Sequence, residues 1–155
     1  MEASVQLETH LGVSKARRML SDLLDKVHSG GLRVIDRREA SVALVDAEMM
    51  DFVLARAFPF NPEVYFGEES GVAIWLPELE VFGEGEDLEG AQEALLDAVL
   101  DYVPLWEEEL RRAPNHVQRF GWVYRIQLAE RPERIREMLF EEREATNLRP
   151  TPSLL

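Results

Sequence analysis

Two groups of charged residues have the types and spacing that could support chemistry. Near the start of the chain, one hydroxyl and three cations lie within five positions and could bind phosphate: Ser14, Lys15, Arg17 and Arg18. Further on, six acids fall within a dozen positions and could hold a divalent cation or exchange protons: Glu78, Glu80, Glu84, Glu86, Asp87 and Glu89. The first group is typical of DNA contact, with phosphates held by cations and an arginine paired to guanine.

The six acids favour a solvated turn and helix cap over a catalytic centre. Metal-dependent hydrolysis needs acids from separate elements that converge on a cation, and these are mostly contiguous in sequence. The glycine pair Gly83 and Gly85 lacks the lysine of a phosphate-binding loop. The chain has no cysteine, and its three histidines are widely spaced, so no metal-ligand spacing is present. We therefore predict no catalytic residue, no metal site and no cofactor, and we expect a protein that is not an enzyme.

The basic group requires an element that presents it. Apolar residues recur at helical spacing from Ala16 to Val27, which predicts a helix over residues 14–29, with Ser14 as its cap and Gly30-Gly31 as its end. The cations then lie in the first turn, where the positive end of the helix dipole disfavours them, and this favours an outside anion. A solvated polar face is the plainer interpretation.

Two short strands follow, with alternating residues at 32–37 and 41–45. Arg37 and Arg38 lie in the loop between them, and together with Arg33 they could form a second phosphate patch or simply pair with neighbouring acids. Asp46 then caps a helix that runs to residue 57.

In order and composition, the stretch VSKARRMLSDLLDKVHSGGLRVIDRREASVALVDAEMMDFV resembles the N-terminal domain of the Phd/YefM antitoxin family. The resemblance covers about residues 1–57, with Val5 to Glu8 as an added strand. It implies a homodimer that reads operator DNA, with Ser14, Lys15, Arg17, Arg18, Arg37 and Arg38 as the DNA-binding residues. The hairpin departs from the family pattern, because Arg37-Arg38-Glu39-Ala40 has no glycine.

The two prolines of residues 58–62 end the helix and mark a packed junction. Beyond it, strands are predicted at 63–66, 71–76 and 81–82. Asp87 caps a helix that Pro104 should end, and further helices are expected at about 105–112, 116–129 and 132–143. Residues 145–155 read as a mobile tail.

The segment GVAIWLPELEVFGEGEDLEGAQEALLDAVLDYV resembles the HicB-like antitoxin domain. The matching residues are Pro77-Glu78-Leu79 and the run from Gly85 to Ala91. The predicted fold class is therefore α+β: a small Phd/YefM-like hairpin and helix domain, then a HicB-like antiparallel sheet and helix domain over residues 63–144 with a helical C-terminal extension.

Charge separates the two halves. The whole chain has a net charge of −13, but residues 1–57 hold 8 basic and 9 acidic residues, whereas residues 58–155 hold 9 and 21. A local basic patch in the first half can still bind phosphate, and the acidic half suits a basic partner. No apolar run is long enough to span a bilayer and no secretory signal is evident, so we expect a cytoplasmic protein without membrane contact.

The combined hypothesis is an antitoxin of a type II toxin–antitoxin system. A dimer would bind operator DNA and repress transcription, and the acidic half would cover a cognate, ribonuclease-type toxin. Trp106 with its acidic neighbours could be an exposed anchor for that toxin: Trp106, Glu107, Glu108 and Glu109. Two alternatives remain open. One is a metal-dependent nuclease on a ribonuclease H-like core, and the other is a dimeric interaction protein without DNA binding.

Overall fold

The structure is a computed structural model that describes residues 9–142. The chain forms two compact units that divide between Val53 and Leu54. Each unit contains one three-stranded sheet, in the orders β1-β2-β3 and β4-β5-β6, so the predicted α+β class is confirmed at this level. Within the described residues, no helix is both long and apolar enough to cross a membrane.

The first unit begins with a short strand, β1 (His10–Gly12), which pairs in parallel with β2 (Arg33–Arg37). Between them lie α1 (Val13–Arg18) and α2 (Leu20–His28). The hairpin is completed by β3 (Ala40–Leu44), antiparallel to β2, and α3 (Ala47–Ala57) follows. The strand predicted at Val5 to Glu8 lies outside the described residues, and β1 lies in a stretch for which no strand was predicted.

The helix predicted over 14–29 is two helices, broken at Met19 (φ −111°, ψ 20°). The cap predicted at Ser14 is also wrong. The N-cap position is Gly12, and no side chain caps α1. By contrast, the cap at Asp46 is confirmed, because its Oδ1 accepts hydrogen bonds from the N–H groups of Glu48 and Met49, each at 3.1 Å.

Very little of the first unit is buried. From residue 9 to residue 53, the buried apolar residues are Ala16, Leu23 and Val27. Eight large apolar residues of the same stretch are more than a third exposed: Val13, Leu20, Leu24, Leu32, Val42, Met49, Phe52 and Val53. A unit of this size with so small a core gains little from burial by itself.

The second unit contains the main core. Its antiparallel sheet consists of β4 (Glu63–Phe66), β5 (Val72–Leu76) and β6 (Val81–Gly85). The long helix α4 (Leu88–Glu108) lies against β5 and β6. Added β-carbons at Gly83 or Gly85 would overlap the α4 backbone, so these glycines let helix and sheet pack backbone to backbone.

The predicted cap of α4 is confirmed, since Asp87 Oδ1 accepts a hydrogen bond from Gly90 N–H at 2.8 Å. The predicted end at Pro104 is wrong, because α4 continues to Glu108 with Pro104 inside it. Trp106 explains the continuation. It is buried in the core, and its indole N–H donates to the His116 carbonyl at 2.9 Å, which ties down the turn beyond the proline.

The helical extension packs into the same core as α4. Two short 3-10 turns, Leu110–Arg112 and Val117–Arg119, lead to α5 (Phe120–Ala129) and α6 (Pro132–Phe140). Pro132 lies in the first turn of α6, as predicted. The mobile tail expected at 145–155 lies outside the described residues.

Two buried arginines connect this extension to earlier segments. Arg119 donates to the Leu79 carbonyl at 2.8 Å and pairs with Glu80. Arg125 donates to the Phe58 carbonyl at 3.0 Å, and its guanidinium lies 5.2 Å from the centre of the Phe60 ring. Segment 58–62 is therefore packed against α5 within the second unit, which begins at Leu54, before the predicted junction.

Candidate functional site

The first unit gathers the predicted DNA-binding residues at one end of its sheet. β1 and β2 are parallel, with Gly12 opposite Asp36, so both strands finish at the same end. There α1 starts directly after Gly12, and the hairpin turn follows Arg37. All six predicted residues lie in these two segments and are exposed: Ser14, Lys15, Arg17, Arg18, Arg37 and Arg38. We call this set the basic end.

The geometry of α1 changes one part of the expectation. Because the helix breaks at Met19, Lys15, Arg17 and Arg18 lie in the last turn of a six-residue helix. Cations are favoured at a helix C-terminus, so the expected conflict with the dipole disappears. What remains in favour of phosphate contact is the position and exposure of the side chains.

A carboxylate network fixes this end of the sheet. Asp36 Oδ1 accepts a hydrogen bond from the Ser41 hydroxyl at 2.6 Å, and its Oδ2 lies 3.0 Å from His10 Nδ1. These bonds, the one from Ser41 foremost, lower the pKa of Asp36 below its ordinary value. Residues from all three strands are thereby held together next to the arginines.

The hairpin turn is tight. Arg37 pairs with Ala40 at the end of the ladder, which leaves Arg38 and Glu39 as the two loop residues. Arg38 adopts φ +50°, a left-handed conformation that glycine usually supplies in such turns. A long basic side chain is therefore held at the tip, at some cost in backbone strain.

The predicted toxin anchor is only partly where the sequence placed it. Glu107, Glu108 and Glu109 are exposed at the end of α4, but Trp106 is 6% exposed and belongs to the core. Its ring also packs edge-on against Tyr124, with centroids 6.4 Å apart. Trp106 is therefore not an exposed anchor, and the role of the three glutamates stays a prediction.

The six acids of positions 78–89 do not form one site. Glu78 accepts hydrogen bonds from Asn61, Glu80 pairs with Arg119, and Asp87 caps α4. Across residues 9–142, no three or more histidine, cysteine or acidic side chains are grouped so that they could hold a metal ion. The geometry thus gives no specific support to the nuclease alternative.

Two features of the second unit were missed in the sequence. One is the exposed aromatic side of its sheet, with Tyr65 and Phe82 more than half exposed; alternation along β4 and β6 could have indicated it. The other is the extent of the charge imbalance. Between Arg56 and Arg111 the chain has fifteen Asp and Glu residues and no Lys or Arg, a run that a finer division of the sequence would have revealed.

Comparison with known proteins decides the family. A protein-family profile for PHD-like antitoxins, described as "Antitoxin of toxin-antitoxin, RelE / RelB, TA system", matches residues 7–141. The chain belongs to this PHD-like antitoxin family. It is an antitoxin of a toxin–antitoxin system, and its family implies a cognate toxin.

The fold of this antitoxin also has a similar solved structure. It is the crystal structure of an antitoxin part of a proposed toxin/antitoxin system from Syntrophomonas wolfei subsp. wolfei. The two align with a TM-score of 0.69 and 13% sequence identity, over 83% of this chain and 94% of the other. At this identity the likeness shows the fold alone. A search of curated proteins gave no match for the PHD-like antitoxin.

Proposed function

We propose that this antitoxin acts in the cytoplasm, where it binds operator DNA as a homodimer through its basic end and represses transcription. It neutralises a ribonuclease-type toxin through its acidic second unit. The observation that carries the DNA-binding half is the parallel pairing of β1 and β2. It brings two basic segments that are distant in sequence, one in α1 and one in the hairpin turn, to the same end of a sheet.

The basic residues would have two kinds of task at a DNA surface. Lysine and arginine side chains neutralise phosphates and fix the protein's position, and an arginine that reaches a guanine edge reads sequence. The hairpin turn and the exposed side of α1 offer these groups from two separate elements. Two such ends related by a dimer axis would read a palindromic site.

The exposed apolar residues of the first unit support the dimer. Leu20 and Leu24 of α2 are 51% and 52% exposed, and Met49 and Val53 of α3 are 53% and 57% exposed. A groove of about 620 Å³ borders α3, lined in part by Met49, Val53 and His28. Exposed apolar side chains that line a groove, as Met49 and Val53 do, are typical of protein interfaces.

We also assign residues 1–57 to a Phd/YefM-like domain and residues 63–144 to a HicB-like domain. The hairpin followed by an Asp46-capped helix supports the first assignment. The antiparallel three-stranded sheet followed by the Asp87-capped α4 supports the second.

Charge supports the toxin half of the proposal. A toxin that cleaves RNA must attract a polyanion and tends to be basic, and the segment between Arg56 and Arg111 carries only acidic charge. Complementary charge speeds association and disfavours wrong partners.

The DNA-binding half is tested by titrating the full chain into labelled DNA from upstream of its own gene, across a salt series. We expect affinity to fall steeply with salt and to be lost in the Arg17→Ala/Arg18→Ala variant. Lys26→Ala is the matched control. Lys26 is exposed, and its carbonyl accepts from Gly31 N–H, just before β2 begins, so it lies at the far end of β2 from Arg37.

If the Arg17→Ala/Arg18→Ala variant loses DNA binding while Lys26→Ala binds DNA normally, the result would support the basic end as the DNA site. Absence of binding by the unaltered chain at low salt would contradict repression. The dimer is tested separately by light scattering. Leu24→Glu should produce monomers, and Val64→Glu, at another exposed apolar position but in the second unit, should not. If light scattering shows the unaltered chain to be a monomer at all concentrations, the proposed dimer is contradicted.

A further inference from the structure

The sheet of the second unit has one side that no described helix covers. Along β5, Val72, Ile74 and Leu76 are buried in the core, whereas Ala73 and Trp75 alternate to the opposite side. The core side of the sheet is occupied by α4, which packs directly on the backbone of Gly83 and Gly85. In this unit α4 therefore packs on one side of the sheet.

Strand register shows what occupies the other side. Trp75 lies opposite Glu63 on β4 and opposite Phe82 on β6, which forms one row across the sheet. In the next row Ala73 lies between Tyr65 and Glu84. The result is an aromatic centre with a carboxylate at each side, which we call the aromatic face: Glu63, Tyr65, Trp75, Phe82 and Glu84.

Two of the three aromatic residues are open to solvent, and Trp75 between them is half-buried. Phe82 is 58% exposed and Tyr65 is 55% exposed. The hydroxyl of Tyr65 donates to Glu63 Oε2 at 2.5 Å, and this bond with the adjacent negative charge raises the pKa of Tyr65. An apolar aromatic centre with a polar rim is the usual anatomy of a protein–protein interface, where tyrosine and tryptophan contribute most of the binding energy.

The charge around the aromatic face indicates which kind of protein could bind there. The aromatic face lies within the segment that has fifteen acids and no base. A second copy of this chain would bring a segment with the same acids and no base to the interface, so Glu63 and Glu84 would find no basic partner there. Like charges across an interface are costly. A basic protein would instead pair with those carboxylates while its apolar surface covered Tyr65 and Phe82.

We propose that the aromatic face is the surface on which the cognate toxin, a basic protein, docks. The inference rests on the proposed neutralisation of a toxin and adds where the toxin binds. It places the contact on the sheet, away from the exposed glutamates at the end of α4. Phe82 and Tyr65 supply the anchoring apolar area, and Glu63 and Glu84 attract and orient the basic partner.

The probe is the protein encoded by the gene next to that of this antitoxin, purified as an inactive variant. Its binding to the full-length chain is measured by calorimetry and by association kinetics. Phe82→Ser and Tyr65→Ser should each weaken binding by about tenfold or more, the range for interface anchors. Leu128→Ser is the matched control, because Leu128 is an exposed apolar residue of α5 (38%), and it should change affinity by less than about twofold.

A second variant does not depend on apolar residues. Glu63→Gln/Glu84→Gln removes two charges from exposed positions and should slow association and flatten its dependence on salt, with little change in dissociation. Circular dichroism and thermal unfolding show whether each variant is folded. If a serine variant does not fold, the charge variant still decides the question.

Each outcome has one meaning. If the unaltered antitoxin does not bind the neighbouring gene's product, both toxin neutralisation and this docking surface are overturned. If it binds and all aromatic-face variants bind equally well, the docking surface alone is overturned, and loss in a Glu107→Gln/Glu108→Gln/Glu109→Gln variant would move the contact to the end of α4. If Phe82→Ser instead abolishes self-association of the antitoxin alone, the face joins two copies and the inference is overturned.

Discussion

Gly121 lies so close to Phe58 that a β-carbon on Gly121 would overlap the Phe58 ring. The ring also packs edge-on against Phe120 and Trp122, with centroids 5.4 and 5.1 Å away. Together with the hydrogen bond from the Trp122 indole to the Pro59 carbonyl at 3.0 Å, this contact fixes the segment that follows α3 onto α5.

We expect Gly121→Ala to destabilise the second unit. Alanine would gain about 1 kcal/mol of helix propensity over glycine, but overpacking against a ring held by two neighbours costs about 1–3 kcal/mol, so the loss should prevail. Urea unfolding followed by tryptophan fluorescence measures it, because all three tryptophans belong to the second unit. In the background Phe58→Ala the same substitution should be neutral or stabilising; equal destabilisation in both backgrounds would contradict the contact.

This contact also shows where sequence reasoning reaches its limit. The two prolines and two phenylalanines of residues 58–62 predict a packed break in the chain. They do not name the surface on which the phenylalanines pack, because α5 lies more than 50 residues further along the chain. A glycine inside an apolar helix such as α5 indicates close approach by something, but not by what.

Local patterns predicted most of the elements, and long-range pairing accounts for most of the misses. The caps at Asp46 and Asp87 and the alternation in β5 are properties of a few neighbouring residues. β1 has only three residues and no alternation that could be recognised, yet its parallel pairing with β2 creates the basic end. Likewise, Trp106 reads as exposed beside three glutamates, because only the folded core shows that His116 accepts its indole N–H.

Replacing the cap of α4 should cost stability in proportion to the lost hydrogen bond. Asp87→Ala removes the acceptor for Gly90 N–H and should lower the free energy of unfolding of the second unit by about 1 kcal/mol. Asp87→Asn keeps an acceptor at the same place and should cost only a few tenths of a kcal/mol. The same urea experiment compares them, and equal losses in the two variants would show that charge rather than capping matters there.

The hairpin tip allows stability and DNA binding to be separated. Arg38 is left-handed (φ +50°), which costs a residue with a β-carbon about 1–2 kcal/mol, more than the roughly 0.5–1 kcal/mol that the flexibility of glycine costs. Arg38→Gly should therefore stabilise the first unit modestly while it weakens operator binding. Hydrogen exchange at Arg37 and Ala40 measures the first effect, and the salt series measures the second.

Arg37→Ala is the control for that pair of effects. Arg37 pairs in the ladder with Ala40 and has ordinary backbone geometry, so its replacement should leave stability nearly unchanged. If both arginines contact phosphate, each variant should reduce the slope of log affinity against log salt by about one. A variant with the slope of the unaltered protein would remove that arginine from the DNA site.

The carboxylate network at the basic end should make stability depend on pH on the acid side. The pKa of Asp36 is lowered from 3.8, first by the Ser41 hydroxyl and then by His10. A lowered pKa in the folded state means that the stabilisation is fully present above pH 3.8 and is lost as the pH falls through the lowered value. Ser41→Ala removes the largest cause, so the pKa of Asp36 should rise toward 3.8, and the stability that Asp36 loses on acidification should become smaller. Carboxyl titration by NMR measures this.

Asp46 is the internal control, because its pKa is lowered chiefly by the N–H of Met49, a contact that Ser41 does not make. An unchanged Asp36 titration in Ser41→Ala, or an equal shift at Asp46, would show that the hydroxyl is not what holds the Asp36 carboxylate ionised.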